Sequence, residues 1–427
     1  MTDFDTVDYF FDASLVDDPN PYFEHLRSKC PVTPLPHRGL MAVTGYEEAH
    51  AVFRDHATFS SLNAVAGPFP ELPFEPEGDD VSELIAQNRH KLPMQEYLIT
   101  QDPPKHTAQR GLLMRLLTPK RMKENEAFMW GLADRQIDEF IGNGTFEVLL
   151  DYAQPFALLV IADLLGVPEE DHRAFKSQLG AEHPQPSVDG DTSGMSLDPL
   201  AFLIETFSAY IQDRRREPRE DVLTQLAAAT YPDGTIPDAT AVARTAAFVF
   251  AAGQDTTARL LSSALRIIGD HPEVQDLLRS DRERIPNFIE EVLRMEGPVK
   301  SMFRMARVAT SVGGVDVPAG TTLLILPGAA NRDPRQFEEP NDFRADRPSA
   351  REHVAFGRGI HSCPGGPLSR LEVQISLNRL LDRTADLRIS EAEHGPPDAR
   401  RYEYDPTFIL RGLKSLHLEF TPDGDVP

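Results

Sequence analysis

Three observations predict a mainly α protein with small β-sheets. Proline is frequent, 36 of 427 residues, or about 8% against a usual figure of about 5%, which suggests many helix starts and stopped loops. From Pro104 the apolar pattern is helical for roughly the next 190 residues, with only short interruptions. Strand-like runs stand on either side of that stretch. Hydrophobic residues make up 41% and charged residues 26% of the chain, ordinary globular values that exclude wholesale disorder and fibrous architectures. No composition shift marks a linker and no internal repeat is found, so residues 1–427 are expected to form a single domain.

In chain order, Asn20-Pro21-Tyr22-Phe23 opens a short helix and Leu40 to Thr44 reads as a strand, so a small sheet is expected within residues 1–60. Residues 67–93, rich in Pro, Gly and acids, read as a long irregular connection with one short helix at Val81 to Asn88. The helical region breaks at Pro168, around His183 to Pro199, at Pro218 and at Tyr231-Pro232-Asp233-Gly234. The 181–199 segment is expected to be a surface loop, with a lid and a plain connector as equal readings. Pro237-Asp238 opens the longest helical signal, about 238–268, which stops at Gly269-Asp270-His271-Pro272. Its centre, Ala246 to Gly253, is apolar all round, as in a buried helix. Val308 to Leu326 alternates and turns at Gly313-Gly314 and Pro318-Ala319-Gly320, a β-hairpin pattern.

Charge and cysteine usage exclude several classes of function. The formal net charge of −24 repels a polyanion, so nucleic-acid binding is not expected. Two cysteines, Cys30 and Cys363, are too few for a disulfide framework or a thiolate zinc site, and they suit a reducing, cytoplasmic compartment. The acidic start, Met1-Thr2-Asp3-Phe4-Asp5, lacks the basic and apolar regions of a signal peptide. Phe156 to Val167, a notable apolar run containing Asp163, falls short of the roughly 20 residues that cross a bilayer. No membrane association is expected.

The stretch with the most chemistry is Phe356-Gly357-Arg358-Gly359-Ile360-His361-Ser362-Cys363-Pro364-Gly365, followed by a helical Pro367 to Glu372. Three glycines around one cysteine make a tight loop whose backbone can approach a ligand closely. The following helix offers its first N–H groups to the sulfur and favours the thiolate. A dinucleotide fingerprint fails here, because Ser362 stands where the third glycine should fall. The loop resembles the signature of the cytochrome P450 family, F-G-x-G-x-H-x-C-x-G, at every fixed position, and the chain is identified as resembling the bacterial soluble, haem-thiolate monooxygenase members. The resemblance implies the family fold, a single triangular helix-rich domain. It also implies haem b (iron protoporphyrin IX) ligated by Cys363, with Phe356, Gly357 and Gly365 lining the ligand loop.

Two further motifs extend the resemblance. Ala252-Gly253-Gln254-Asp255-Thr256-Thr257 is similar to the family's oxygen-binding segment. A mid-helix glycine removes bulk, and a threonine bonding back to the carbonyl four residues earlier bends a helix. By resemblance, Thr256 supports the dioxygen and Asp255 relays the protons, with Ala252 and Gly253 beside the haem. Glu291-Val292-Leu293-Arg294 matches the family's E-x-x-R, a spacing that is commonplace on helix surfaces when taken alone. The resemblance makes it a buried structural pair joined by Arg347. Haem propionates need cationic partners; the family positions fall on His106, Arg110, Arg304 and His361.

The implied reaction inserts one oxygen atom of O₂ into a hydrophobic small molecule, a hydroxylation, with electrons from a separate ferredoxin and ferredoxin reductase. Lys105 to Lys123 carries six Lys or Arg and no Asp or Glu, a basic island suited to docking an acidic ferredoxin. Family position places the substrate pocket on residues 67–98 and 170–215, on Phe248, Ala251 and Ala252, on Val299 and Lys300, and on Phe408 and Ile409. Lys300 departs from an otherwise apolar expectation and could pair with a substrate carboxylate or snorkel away. A monomer is the family expectation. A peroxide-driven peroxygenase and a non-catalytic haem sensor stand as alternatives, although neither needs Asp255 and Thr256. A cysteine hydrolase using His361 and Cys363 is more distant.

Overall fold

The computed structural model describes residues 3–172 and 200–423. The 181–199 segment of the sequence reading lies outside them, as do residues 173–199 of the expected pocket. The dominant element is the helix Ala239–Asp270, 32 residues and, at about 1.5 Å per residue, nearly 50 Å long. It starts where the sequence places it, because the Asp238 carboxylate accepts the Ala241 N–H at 2.7 Å and caps an orphan donor. It runs through Gly269 to Asp270, and Pro272 begins the next helix, Pro272–Ser280. Gly269 is there for packing, since a Cβ on it would sit 2.8 Å from Ile389 Cδ1.

Around this helix pack Gln154–Leu165, Ala201–Arg216, Ile285–Glu296 and Gly366–Arg383, with Pro119–Phe140 packed on Gln154–Leu165 and Gly366–Arg383. Phe207 meets Phe250 edge-on at 6.1 Å, and Thr257 Oγ1 lies 3.2 Å from Ser369 Oγ, tying the long helix to Gly366–Arg383. A π-helical turn, Val148–Ala153, leads directly into Gln154–Leu165. Val148–Leu165 is therefore 18 residues with mean hydropathy 1.7, long and apolar enough to cross a membrane by length and composition, and 67% of it is buried in this protein. The sequence reading, which began the run at Phe156, missed the π-helical turn. Packing against the long helix accounts for the apolar character.

The described residues form ten strands: β1 Val32–Pro34, β2 Met41–Val43, β3 Phe59–Ser60, β4 Thr145–Glu147, β5 Met302–Ala306, β6 Thr310–Val312, β7 Val315–Val317, β8 Thr322–Ile325, β9 Thr384–Ile389 and β10 His417–Pro422. One sheet has the order β1-β2-β8-β5-β3, with only β2 and β8 parallel; a second is β4-β10-β9; β6 and β7 form a hairpin. The expected strand at Leu40 to Thr44 is β2, the hairpin segment is β6 to β8, and the short helix of the 67–93 connection is Ser82–Asn88. This mainly α architecture with small sheets sets Arg304 on β5 opposite the loop that carries Cys363.

Candidate functional site

The loop before Gly366–Arg383 is shaped by backbone constraint. Gly357 and Gly359 sit at φ +63° and +71°, and a Cβ on Gly359 would meet the Phe53 carbonyl oxygen at 2.4 Å, so only glycine fits there. The Cys363 N–H donates to the Phe356 carbonyl at 2.9 Å, closing the loop. Cys363 is exposed, yet the protein atoms around its sulfur push the thiol up from the ordinary value. The N–H groups of Gly365 and Gly366 and the charges of Arg110 and Arg370 pull the other way. The donors expected from sequence are therefore present, but burial outweighs them. Deprotonation falls to whatever metal the sulfur binds.

On one side of the sulfur stand four nitrogen side chains that the sequence singled out. His106 is buried with its Nε2 unpartnered, and burial next to Arg110 lowers its pKa to about 4. His361, whose ring centroid lies 4.2 Å from that of His106, is lowered to about 2 by burial and by Arg304. Burial also brings Arg304 down to about 10 and lowers Arg110. Both imidazoles are thus neutral beside two guanidiniums, a donor set made for an anion. His361 Nε2 is 2.9 Å from Ser61 Oγ, and Ser61 N–H donates to Asp102 at 2.9 Å. Asp102 in turn pairs with Arg89 and, at 2.9 Å, with Arg307. This bracing was not visible in sequence, because its five members, Ser61, Arg89, Asp102, Arg307 and His361, are far apart in the chain.

In the long helix Thr256 Oγ1 donates to the Ala252 carbonyl at 2.9 Å, the expected back-bond. Asp255, partly exposed, pairs with Arg259 at 2.9 Å. Gly253 turns its bare side to Ile161, and an added Cβ there would lie an ordinary 3.8 Å from Ile161 Cδ1. Ala252 is exposed, the only such residue of this helix besides Thr240 in its first turn. Ala251 is half-buried, and Phe248 lies 5.9 Å from the Tyr97 ring.

The other expected pocket residues turn towards the N-terminal segment. Lys300 is 5% exposed, its Nζ donating to the Leu15 carbonyl at 3.2 Å and lying 5.3 Å from the Tyr9 ring centroid. Burial, helped by Arg411, lowers its pKa to about 7. Phe408 is buried among Phe10, Phe69 and Phe303 at ring distances of 5.1, 5.6 and 6.3 Å, with half-buried Ile409 against the same cluster. Val299 bridges to Leu410 and lines a small cleft with Pro19 and Phe23. Sequence position along the family pattern did not reveal that residues 4–26 fill this wall.

Behind the loop, Glu291 accepts two bonds from Arg294 at 2.8 Å and two from Arg347 at 3.0 and 3.2 Å, with all three side chains at most 2% exposed. A neighbouring cluster escaped the sequence reading: Glu290 binds His353 at 3.0 Å and Arg370 at 2.6 and 2.9 Å. Those bonds outweigh burial and take Glu290 down to about 2, while Arg370 stacks 4.6 Å over Phe356. The Glu290-Glu291 dipeptide at the start of the E-x-x-R run was the available signal.

Among the described residues no group of three or more His, Cys, Asp or Glu could hold a bare metal ion. A lone thiol beside neutral histidines and two guanidiniums suits a metal that brings its other ligands and its own carboxylates. Haem has that chemistry, and the residues fit it. A family model described as Cytochrome P450 matches residues 198–385. Cytochrome P450 144 of Mycobacterium tuberculosis is 33% identical over 96% of this chain and 90% of its own length. The chain belongs to the cytochrome P450 family. Cytochrome P450 109 of Bacillus spizizenii is 31% identical over 94% of this chain and 92% of its length. The substrate-free cytochrome P450 CYP150A6 of Mycobacterium marinum superposes with a TM-score of 0.93 at 57% identity, covering 99% of this chain and 100% of that one. This P450 is a haem-thiolate monooxygenase, with haem b as cofactor and O₂ as co-substrate.

Proposed function

We propose that this P450 hydroxylates a hydrophobic small molecule with electrons from a separate ferredoxin and its reductase, Cys363 being the residue that would hold the haem iron. The observation that carries the reading is the exposed Cys363, with Arg110 acting on its thiol and Thr257 tying the oxygen-binding segment to the same helix. Substrate, O₂, two electrons and two protons give the hydroxylated product and water. The thiolate-ligated haem supplies the O–O cleavage and the oxygen transfer.

The protein's part is to bind, orient and protonate. His106 Nε2, Arg110 and Arg304 would hold the propionates, with His361 oriented by Ser61, and Phe356, Gly357 and Gly365 would shape the thiolate side. Thr256 holds a proton at Oγ1 against the Ala252 carbonyl, and Asp255, open to solvent, replaces it. Phe248, Ala251 and Ala252 form the apolar wall over which the substrate lies. Glu291, Arg294 and Arg347 keep the cysteine loop in place. Lys105, Arg115, Lys120 and Lys123 are exposed and form the docking face for an acidic ferredoxin. Arg121 has left that face, turning inward to Gln225 Oε1 at 2.6 Å, and Arg110 serves the sulfur side. The chain works as one domain over residues 1–427, as a cytoplasmic monomer; two free cysteines support that compartment.

The test is the spectrum of the reduced protein under carbon monoxide, followed by turnover with ferredoxin, reductase and O₂. The long-wavelength Soret band of a thiolate-ligated haem carbonyl is expected, with product formed at the expense of reductant. Product from hydrogen peroxide alone would favour the peroxygenase, and a thiolate spectrum without turnover the sensor. In Thr256→Ala, haem and substrate binding persist while reducing equivalents are diverted to peroxide.

A further inference from the structure

Arg259 stands one helical turn after Asp255 and is 7% exposed. Its Nε donates to Asp255 Oδ2 at 2.9 Å and its Nη1 to Asp405 Oδ2 at 2.7 Å. One guanidinium is thus shared by two carboxylates, one on the long helix and one in the segment that returns from the C-terminal side. The segment is shaped for this. Asp405 N–H donates to the Gly412 carbonyl at 3.0 Å, Tyr404 bridges to Leu413, and a Cβ on Gly412 would lie 2.4 Å from Arg259 Nη1 and 2.7 Å from its Cγ. Gly412 has no positive φ, so the glycine is there to let the arginine stem through. Burial works against the charge of Arg259, but Asp255 and Asp405 outweigh it and hold the guanidinium above its ordinary value.

We propose that Asp405 is a positioning residue for proton delivery: by sharing Arg259 it keeps Asp255 from being locked in a one-to-one ion pair. The inference rests on Asp255 being the proton relay. A carboxylate that owned a buried guanidinium outright would stay in the full Coulomb field of one cation and leave it less often. With half of that field spent on Asp405, Asp255 can let go, take a proton from solvent and hand one inward, a cycle with no net change in charge.

The experiment uses the haem-loaded enzyme with ferredoxin and reductase. In Asp405→Asn, haem content, the carbon monoxide spectrum and the substrate-induced spin shift stay as in the wild type. Product formed per electron pair falls on the order of fivefold, a fraction of what loss of a positioned acid costs, and the solvent isotope effect on turnover rises. The infrared band of the Asp255 carboxylate, isolated as the difference from Asp255→Asn, moves towards a tighter ion pair, a readout independent of turnover. Asp405→Glu restores all three, and failure to restore them would overturn the proposal. Wild-type coupling in Asp405→Asn beside an uncoupled Asp255→Asn overturns the inference alone. Wild-type coupling in Asp255→Asn overturns the relay reading and the inference with it. Should Asp405→Asn not fold, Gly412→Ala keeps every charge and displaces only the arginine stem; unchanged coupling and an unmoved band there overturn the proposal equally.

Discussion

The two walls of the haem site are built on different principles. The wall behind Cys363 is a saturated ionic scaffold: Glu291 with Arg294 and Arg347, and Glu290 with His353 and Arg370, each bonded at 2.6–3.2 Å. The opposite wall, from Asp255 through the 402–413 segment to the N-terminal aromatic cluster, carries an apolar cluster, and both carboxylates of its Asp255–Arg259–Asp405 ion chain reach solvent. Asp255 is 34% and Asp405 30% exposed by side chain. The first wall fixes a ligand atom and gains from having one arrangement. The second must admit substrate, O₂ and protons, so its charges stay within reach of water.

Breaking the first wall has the largest expected effects. Cys363→Ala removes the axial ligand, and the thiolate carbonyl spectrum disappears altogether; survival of that band would move the ligand elsewhere. Next comes Glu291→Gln, which leaves two fully buried guanidiniums short of their anion. Removing one partner of such a pair costs about 3–5 kcal/mol. Chemical denaturation should show that loss together with release of haem. Glu290→Gln should cost less, because the side chain of its partner Arg370 is 34% exposed and can turn to solvent. Equal losses in the two variants would remove the distinction drawn between these clusters.

The same contrast explains what was legible in the sequence. The cysteine loop, the E-x-x-R pair and the Thr256 back-bond are local: glycine φ angles, i to i+3 spacing and i to i−4 bonding are fixed by a few neighbouring residues. The extent of the Ala239–Asp270 helix was readable for the same reason, from Asp238 at one end and Pro272 at the other. The contacts that were missed join distant segments. Ser61 meets His361 across 300 residues, Arg259 meets Asp405 across 146, and Lys300 meets Leu15 across 285. Lys300 reads as a pocket cation from its neighbours, and only the fold shows that the N-terminal residues cover it. Phe408 packs in the same way against Phe10 and Phe69, about 400 and 340 residues away in the chain.

Lys300 gives a smaller effect, on the second wall. Its folded value of about 7 lies below the ordinary 10.5 because the amine is buried near Arg411. Below pH 7 both folded and unfolded chains carry the proton, and the fold bears the cost of a buried charge. Between pH 7 and the unfolded value the folded chain has released its proton and the unfolded chain has not, so stability rises with pH across that window. One such group contributes a slope of up to about 1.4 kcal/mol per pH unit. In Lys300→Met, whose side chain fills similar space without an amine, that part of the slope vanishes. Denaturation of both proteins from pH 7 to 10 measures the difference, and parallel curves would show that Lys300 titrates as it does in water.

The smallest effect is expected on the outer surface near the first wall, where charge is arranged for encounter rather than for holding a ligand. Lys105, Arg115, Lys120 and Lys123 are exposed, with Lys120 3.7 Å from Glu124 in a solvent-facing pair, and Met114 is 44% exposed near them. Reversing Lys120 and Lys123 to Glu changes no buried contact, so stability and the carbonyl spectrum should not move. Ferredoxin-driven turnover should slow by roughly severalfold at low salt, and the difference should shrink as the Debye length falls to about 8 Å near physiological ionic strength. Turnover driven by hydrogen peroxide, which needs no docking, is the control that both proteins should share. A slowdown that persists at high salt would mean that the face works by shape around Met114, and an unchanged rate would place the electron donor elsewhere.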